Sequence, residues 1–162
     1  MRKWKGESFE GGVSTPLIAY WPKVIKPQSK YYREPVHLID IMPTVLNITG
    51  AKYPGISKEP KIAPVDGVSM LPAFKGQTIH RTKPLFFQFG KGSATRNGQW
   101  KLVRSGKIWE LYNTTIDRNE MHNVAENNPE LVKQMGNEWL NWWKNCTGSE
   151  WNESLAKGEK EE

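Results

Sequence analysis

Lys5 is the side chain whose setting best suits chemistry. It precedes Gly6 and the stretch Ser8-Phe9-Glu10-Gly11-Gly12, and the run from there to Trp21-Pro22 is largely apolar. A turn feeding a buried strand can hold an ammonium group at a sheet edge, where open sheets place their ligands. Such a lysine suits a clamp for an anionic oxygen, although on these residues alone an ordinary surface lysine is the safer reading. The other reactive types are scattered. His37, His80 and His122 stand far apart, and Asp40, Asp66 and Asp117 adjoin neither one another nor an asparagine, so no metal-ligand spacing is present. Cys146 sits in Asn-Cys-Thr-Gly with no activating base near it and reads as a structural or exposed thiol. The chain has no G-x-S-x-G elbow and no phosphate-cradling glycine loop.

Composition narrows the class. With 162 residues, 37% of them hydrophobic, the chain can form one domain with a core or the trailing part of something larger. Eight tryptophans exclude a wholly disordered chain, while eleven prolines predict long polar connections. The net charge of +6 is dispersed, with no run of four basic residues, no zinc-finger spacing and no RNP-like segment. It reads as a solvated basic surface with no nucleic-acid partner. The longest apolar run, Leu17 to Trp21, is far below a membrane span, and Trp4-Lys5-Gly6-Glu7 stands where a signal peptide would be apolar. A single cysteine rules out an internal disulfide. Asn47, Asn113, Asn145 and Asn152 open glycosylation-type sequons, meaningful only in a secreted eukaryotic chain.

The positioning elements follow from pattern. Gly11-Gly12 permits a tight turn, and Val13–Trp21 reads as a buried strand closed by Pro22. Asp40 as cap, Pro43 in the first turn and Gly50 as stop predict a short helix with Ile41, Val45 and Ile48 on one face. Residues 51–83 form a Pro/Gly/Lys-rich connection, with a compact turn over Asp66–Gly76 and a short helix at Met70–Phe74. Strands are expected at Leu85–Phe89, Ser93–Arg96, Gln99–Arg104 and Lys107–Tyr112, with Asn97-Gly98 as a two-residue hairpin loop. Trp100 and Leu102 alternate with Lys101 and Val103, which predicts cover on both faces. A helix opening at Asn128-Pro129-Glu130 carries Leu131, Met135, Trp139 and Trp142 or Trp143 at helical spacing. That stripe could stack on sugar or cofactor rings, but its spacing already accounts for it as core. The division expected is residues 1–76, 77–146 and a polar, frayed tail over 147–162.

Five motifs in order, "KGESFEGGVSTPLIAYWP", "HLIDIMPTVLNITG", "DGVSMLPAFKG", "SATRNGQWKLV" and "WELYNTTIDRNEMHNVAENNPELVKQM", resemble the C-terminal part of a type I sulfatase of the arylsulfatase group. The resemblance runs from Lys5 to about Trp143. It implies an α/β fold: the end of an alkaline-phosphatase-like domain, then a small α+β subdomain with a four-stranded antiparallel sheet and a packed C-terminal helix. It further implies that Lys5 contacts the sulfate and the leaving oxygen of a sulfate ester, either a small aryl sulfate or a sulfated carbohydrate. Ser14 stands where the family often has arginine, and Asn113 where it usually has aspartate.

For the complete enzyme the resemblance implies calcium, held by an Asp-Asp and an Asp-Asn pair, and a formylglycine nucleophile made in a C/S-x-P-x-R sequence. Here Ser14-Thr15-Pro16 begins that match but continues Leu17-Ile18, and the nearest approach to an Asp-Asn pair is Asp117-Arg118-Asn119. The chain alone is therefore expected to bind neither and to be inactive, its partner being an N-terminal part of the catalytic domain upstream of Met1, which reads as an internal or truncated start. The resemblance also implies a periplasmic, secreted or lysosomal setting. Two other readings stand beside it: a non-catalytic module binding sulfated glycans, and part of a related phosphodiesterase or phosphonate hydrolase. Gln88–Gly92 is expected to border the pocket.

Overall fold

The computed structural model describes residues 1–26, 31–54 and 62–152. They fall into two compact units, one of Met1–Thr15 with Lys83–Glu162, the other Pro16–Thr82.

The first unit is built on an antiparallel meander of β1 (Leu85–Phe89), β2 (Gly92–Asn97), β3 (Trp100–Ser105) and β4 (Glu110–Asn113), in spatial order β1-β2-β3-β4. Residues 101–104 of β3 are all buried, because each face of the sheet has its own cover. On one face Phe9 packs with Ala94, Val103 and Tyr112. On the other, Leu102 and Leu111 meet Met135 of the long helix Pro129–Thr147, with Trp109 and Leu131 alongside. Each such fully buried side chain contributes about 1.5–3 kcal/mol of burial.

Pro129 occupies the first turn of that helix, and Gly148 ends it in the left-handed region at φ 73°. Asn128 does not cap it with its side chain; its amide instead donates to the Val124 carbonyl at 2.9 Å. The aromatic stripe is core: Trp139 is fully buried, and its indole N–H donates to the Phe87 carbonyl at 3.1 Å. Trp142 stacks on Phe86 with ring centroids 5.2 Å apart. The expected fraying does not begin at residue 147. Trp151 meets Trp139 and Trp143 edge-on, at 5.0 and 4.7 Å between centroids, and the Arg104 guanidinium lies 5.2 Å from its ring. The rest of the expected tail, 153–162, lies outside the described residues.

The hairpin loop is shifted by one residue from expectation. Asn97 pairs with Trp100, so Gly98 and Gln99 form the loop, and Gly98 supplies the positive φ, 55°. Strand β4 starts at Glu110 because the pairing with β3 begins at Val103.

The strand expected at Val13–Trp21 does not form. Val13 closes a one-turn helix, α1 (Glu10–Val13), and residues 14–21 have no regular structure, with Ile18 and Tyr20 about nine-tenths exposed. A strand persists only when its N–H and C=O groups are paired, and among the described residues no neighbour pairs with this run.

In the second unit, a 3-10 turn (Leu38–Asp40) leads into α2 (Ile41–Thr49), which ends at Gly50 with φ 71°. The short helix α3 (Leu71–Phe74) follows, and α4 is the long helix already described. Asp40 does not cap α2 with its side chain. Fully buried, it accepts from the backbone N–H of His37 and Val68 at 2.8 and 2.9 Å and pairs with Arg81 at 2.5 Å. Ile41, Val45 and Ile48 share a face as expected, but that face is exposed, and the buried residue of α2 is Thr44. Among the described residues no helix is long and apolar enough to cross a membrane.

Candidate functional site

Lys5 is exposed on a turn closed by the Glu7 N–H donating to the Trp4 carbonyl at 3.2 Å, with Gly6 at φ 93°. What distinguishes this turn is how firmly both its ends are held.

Ahead of it, the Arg2 guanidinium donates to Glu110 Oε2 at 2.6 Å and to the Tyr112 hydroxyl at 2.5 Å, and lies 4.7 Å from the Phe9 ring centroid. The Tyr112 hydroxyl in turn donates to Glu110. Burial, reinforced by that carboxylate, pushes the Tyr112 phenol far above its ordinary range, so it stays a donor. The hydrogen bond to Glu110 raises Arg2 as well.

Behind the turn, Ser8, Phe9 and Glu10 are buried. Glu10 Oε1 meets Lys101 Nζ at 2.9 Å, and the same ammonium lies 2.8 Å from Glu120 Oε1. Arg96 approaches Glu10 at 3.7 Å, which brings two cations to two carboxylates. Glu120 Oε2 also accepts the backbone N–H of Glu10 at 2.7 Å, at the start of α1. Burial raises the Glu120 carboxyl above its ordinary range despite the opposing pull of Lys101. Glu120 reaches this position from a left-handed backbone, φ 56°, a strained conformation for a residue with a side chain.

The glycine pair, expected to permit a tight turn, lies in α1 and serves close packing. The Gly11 N–H donates to the Arg2 carbonyl at 2.9 Å. A Cβ on Gly11 would stand 2.1 Å from the Lys3 carbonyl oxygen, and one on Gly12 would stand 1.9 Å from that of Glu7. Residues 2–7 are thus wound onto α1, which is pinned to Lys101 and Glu120.

The segment bearing Glu120 is fixed by its own side chains. Asp117 accepts from the N–H groups of Met121 and His122 at 2.9 and 2.8 Å. Burial works against its charged form, but those backbone donors, with Glu120's, hold it below the ordinary carboxylate range. Asn123 accepts from the Leu111 N–H at 3.0 Å, tying the segment to β4. The two family departures find local partners: the Asn113 side-chain oxygen Oδ1 accepts the Thr115 N–H at 3.1 Å, and the Ser14 hydroxyl accepts from Arg118 at 3.4 Å.

The β1–β2 hairpin adjoins the lysine turn. A Cβ on Gly6 would be 3.7 Å from the Phe89 ring, and one on Gly92 would be 2.8 Å from Ser8 Oγ. Gln88–Gly92, expected to border the pocket, thus lies beside the turn that carries Lys5.

The titratable residues weighed from the sequence are not brought together. His80 and His122 are exposed, and His37 is held below its ordinary value by burial. Cys146 is exposed on α4. Among the described residues no three His, Cys, Asp or Glu side chains are placed to hold a metal. Asp40, Asp117, Glu10 and Glu120 are each committed to the partners above, so the residues present do not fit the implied calcium. Pro16 is followed by Leu17 and Ile18 where the formylglycine sequence requires its arginine.

Residues 5–144 match the family profile described as N-sulphoglucosamine sulphohydrolase, C-terminal. A sulfatase of Formosa agariphila is 31% identical over 90% of this chain and 32% of its own length. Bovine arylsulfatase A is 35% identical over 66% of this chain and 19% of its own. The crystal structure of Ps i-CgsB in complex with k-i-k-neocarrahexaose superposes with a TM-score of 0.62 at 30% identity, covering 76% of this chain and 27% of that one. The chain therefore spans about a third or less of the length of these relatives.

Proposed function

The chain belongs to the sulfatase family, as a C-terminal portion of it, and from that premise we propose that its complete polypeptide hydrolyses sulfate esters, with Lys5 on the sulfate. The observation that carries this reading is the mounting of Lys5. An exposed ammonium sits at the apex of a turn held at one end by the half-buried Arg2–Glu110 pair and at the other by the buried cluster of Glu10, Lys101 and Glu120.

As the sulfur–oxygen bond of an ester breaks, negative charge builds on the leaving alcohol oxygen. A fixed cation stabilises that charge without reorganising, and this lowers the barrier. Lys5 does this by donating to a sulfate oxygen in the bound ester and to the leaving oxygen in the transition state. Fixity matters as much as charge, because a lysine on a loose loop would spend part of the interaction on ordering itself. The nucleophile and the metal belong to residues outside this chain, and no step is drawn through either. Sulfated carbohydrate is the substrate class this reading favours, since a structural relative at 30% identity was solved with neocarrahexaose.

The test is turnover of p-nitrophenyl sulfate by the complete polypeptide. Lys5→Ala is expected to lower kcat/KM by about 100-fold or more, the scale of losing one transition-state donor, with an unchanged melting temperature. Full activity in that variant would sink the assignment of Lys5.

A further inference from the structure

The β1–β2 hairpin tip holds an exposed aromatic ring, Phe89, beside the lysine turn. Phe89 is 68% exposed, yet it sits at the end of a paired strand, its ring 3.7 Å from where a Cβ on Gly6, the residue after Lys5, would stand. The tip is braced on several sides. The Gln88 amide donates to the Gly90 carbonyl at 2.8 Å, and its oxygen accepts the Ser93 hydroxyl at 2.7 Å. The Gly106 N–H donates to the Lys91 carbonyl at 3.4 Å from the β3 end, and Gly92 abuts Ser8. These contacts hold the backbone that carries the ring, so the ring is presented from a braced turn.

Charge decides what it contacts. Lys91 is exposed on the same tip, and Lys3 and Lys5 are exposed on the neighbouring turn. Of the carboxylates in residues 1–10, Glu10 is buried against Lys101 and Glu7 is half-buried. The exposed surface therefore carries two aromatic rings among cations, Phe89 on the tip and Trp4 on the turn with the Lys3 ammonium 5.9 Å from its ring centroid, which suits the C–H face of a sugar bearing anionic substituents.

We propose that Phe89 and Lys91 form a subsite for a second ring of a sulfated oligosaccharide, Phe89 stacking on the ring and Lys91 pairing with an anionic group beyond the sulfate that Lys5 holds. The inference rests on the reading that Lys5 faces the sulfate. It adds that the substrate is an oligomer, and that this hairpin selects it over a small aryl sulfate.

The experiment uses the complete polypeptide with two probes: a sulfated hexasaccharide such as neocarrahexaose, titrated calorimetrically, and p-nitrophenyl sulfate, assayed for turnover. Phe89→Ala and Lys91→Ala are each expected to weaken hexasaccharide binding about tenfold, to shift the preference toward p-nitrophenyl sulfate, and to leave the melting temperature in place. Phe89→Tyr, which keeps the ring, restores binding. Unchanged hexasaccharide affinity in both alanine variants, with p-nitrophenyl sulfate still turned over, would overturn the subsite and leave the sulfatase reading intact. Loss of melting temperature with no change in selectivity would overturn it too, since Phe89 would then be covered by another part of the polypeptide. If the wild type turns over neither probe but binds the hexasaccharide through Phe89 and Lys91, the subsite stands and the sulfatase reading falls.

Discussion

Lys101 has no exposed surface, and its ammonium is tolerable there only because Glu10 and Glu120 meet it within 3 Å. Breaking such a pair strands charge in the interior, so Lys101→Met is expected to lower unfolding free energy by about 3–5 kcal/mol, read by urea denaturation. Glu120 shows the same economy from the other side. It stays in a left-handed backbone because glycine, which would relax the strain, could not supply the carboxylate. Its raised folded-state value carries a sign. Between the ordinary glutamate range and that higher value, the folded chain keeps a proton that the unfolded chain has released. The Glu120 contribution is thus fully present at low pH and fades as pH rises through the window. Unfolding free energy measured across mildly acidic pH should fall less steeply with rising pH in Glu120→Gln than in the wild type. Equal slopes in the two proteins would rule out Glu120 as the group responsible.

At the scale of elements, α1 transmits the buried cluster to the lysine turn through backbone contact, and the glycines report on it. Gly12→Ala forces a Cβ to within 1.9 Å of the Glu7 carbonyl oxygen, so the turn or the helix must move. Gly98→Ala meets no atom within 4 Å and strains only its own φ of 55°, at a cost of about 1–2 kcal/mol. In the complete polypeptide, Gly12→Ala should cut p-nitrophenyl sulfate turnover at least tenfold, while Gly98→Ala loses stability and keeps kcat. Equal kinetic effects would show that the turn is not positioned by α1. The elements themselves were largely legible in the sequence: β1 within its bounds, the other strands within a few residues, and α4 from its proline and period. Local signals of that kind survive folding because they concern neighbours in the chain. The run 13–21 was misread because its apolar composition suits a strand, while strand formation depends on partners no local pattern can supply. The cluster behind Lys5 has no local signature for a related reason. Glu10 lies 91 residues from Lys101 and 110 from Glu120, and each alone looks like a surface charge. The one available hint was Lys101 itself, on the same face of β3 as the apolar Val103.

For the molecule as a whole, the two units differ in how completely they cover their apolar side chains. The sheet unit buries Phe9, Leu102, Val103, Leu111, Met135 and Trp139 almost entirely. In Pro16–Thr82, Leu17, Ile18, Tyr20, Leu38, Ile41, Met42 and Val45 all keep between 45 and 92% of their surface exposed. Exposing this many apolar side chains in one unit is unfavourable in water and favours covering them with another surface. The sulfatase reading gives them a cover in the remainder of the catalytic domain, and it predicts how residues 1–162 behave without it. Expressed alone, they should associate with rising concentration, as light scattering would show, and should bind a hydrophobic dye. Ile41→Lys with Val45→Glu should suppress both effects while the near-ultraviolet signal of the packed tryptophans stays intact, because that core lies in the other unit. A monomer at all concentrations, with the apolar side chains intact, would mean that this surface needs no cover and would remove the argument for a larger domain built upon it.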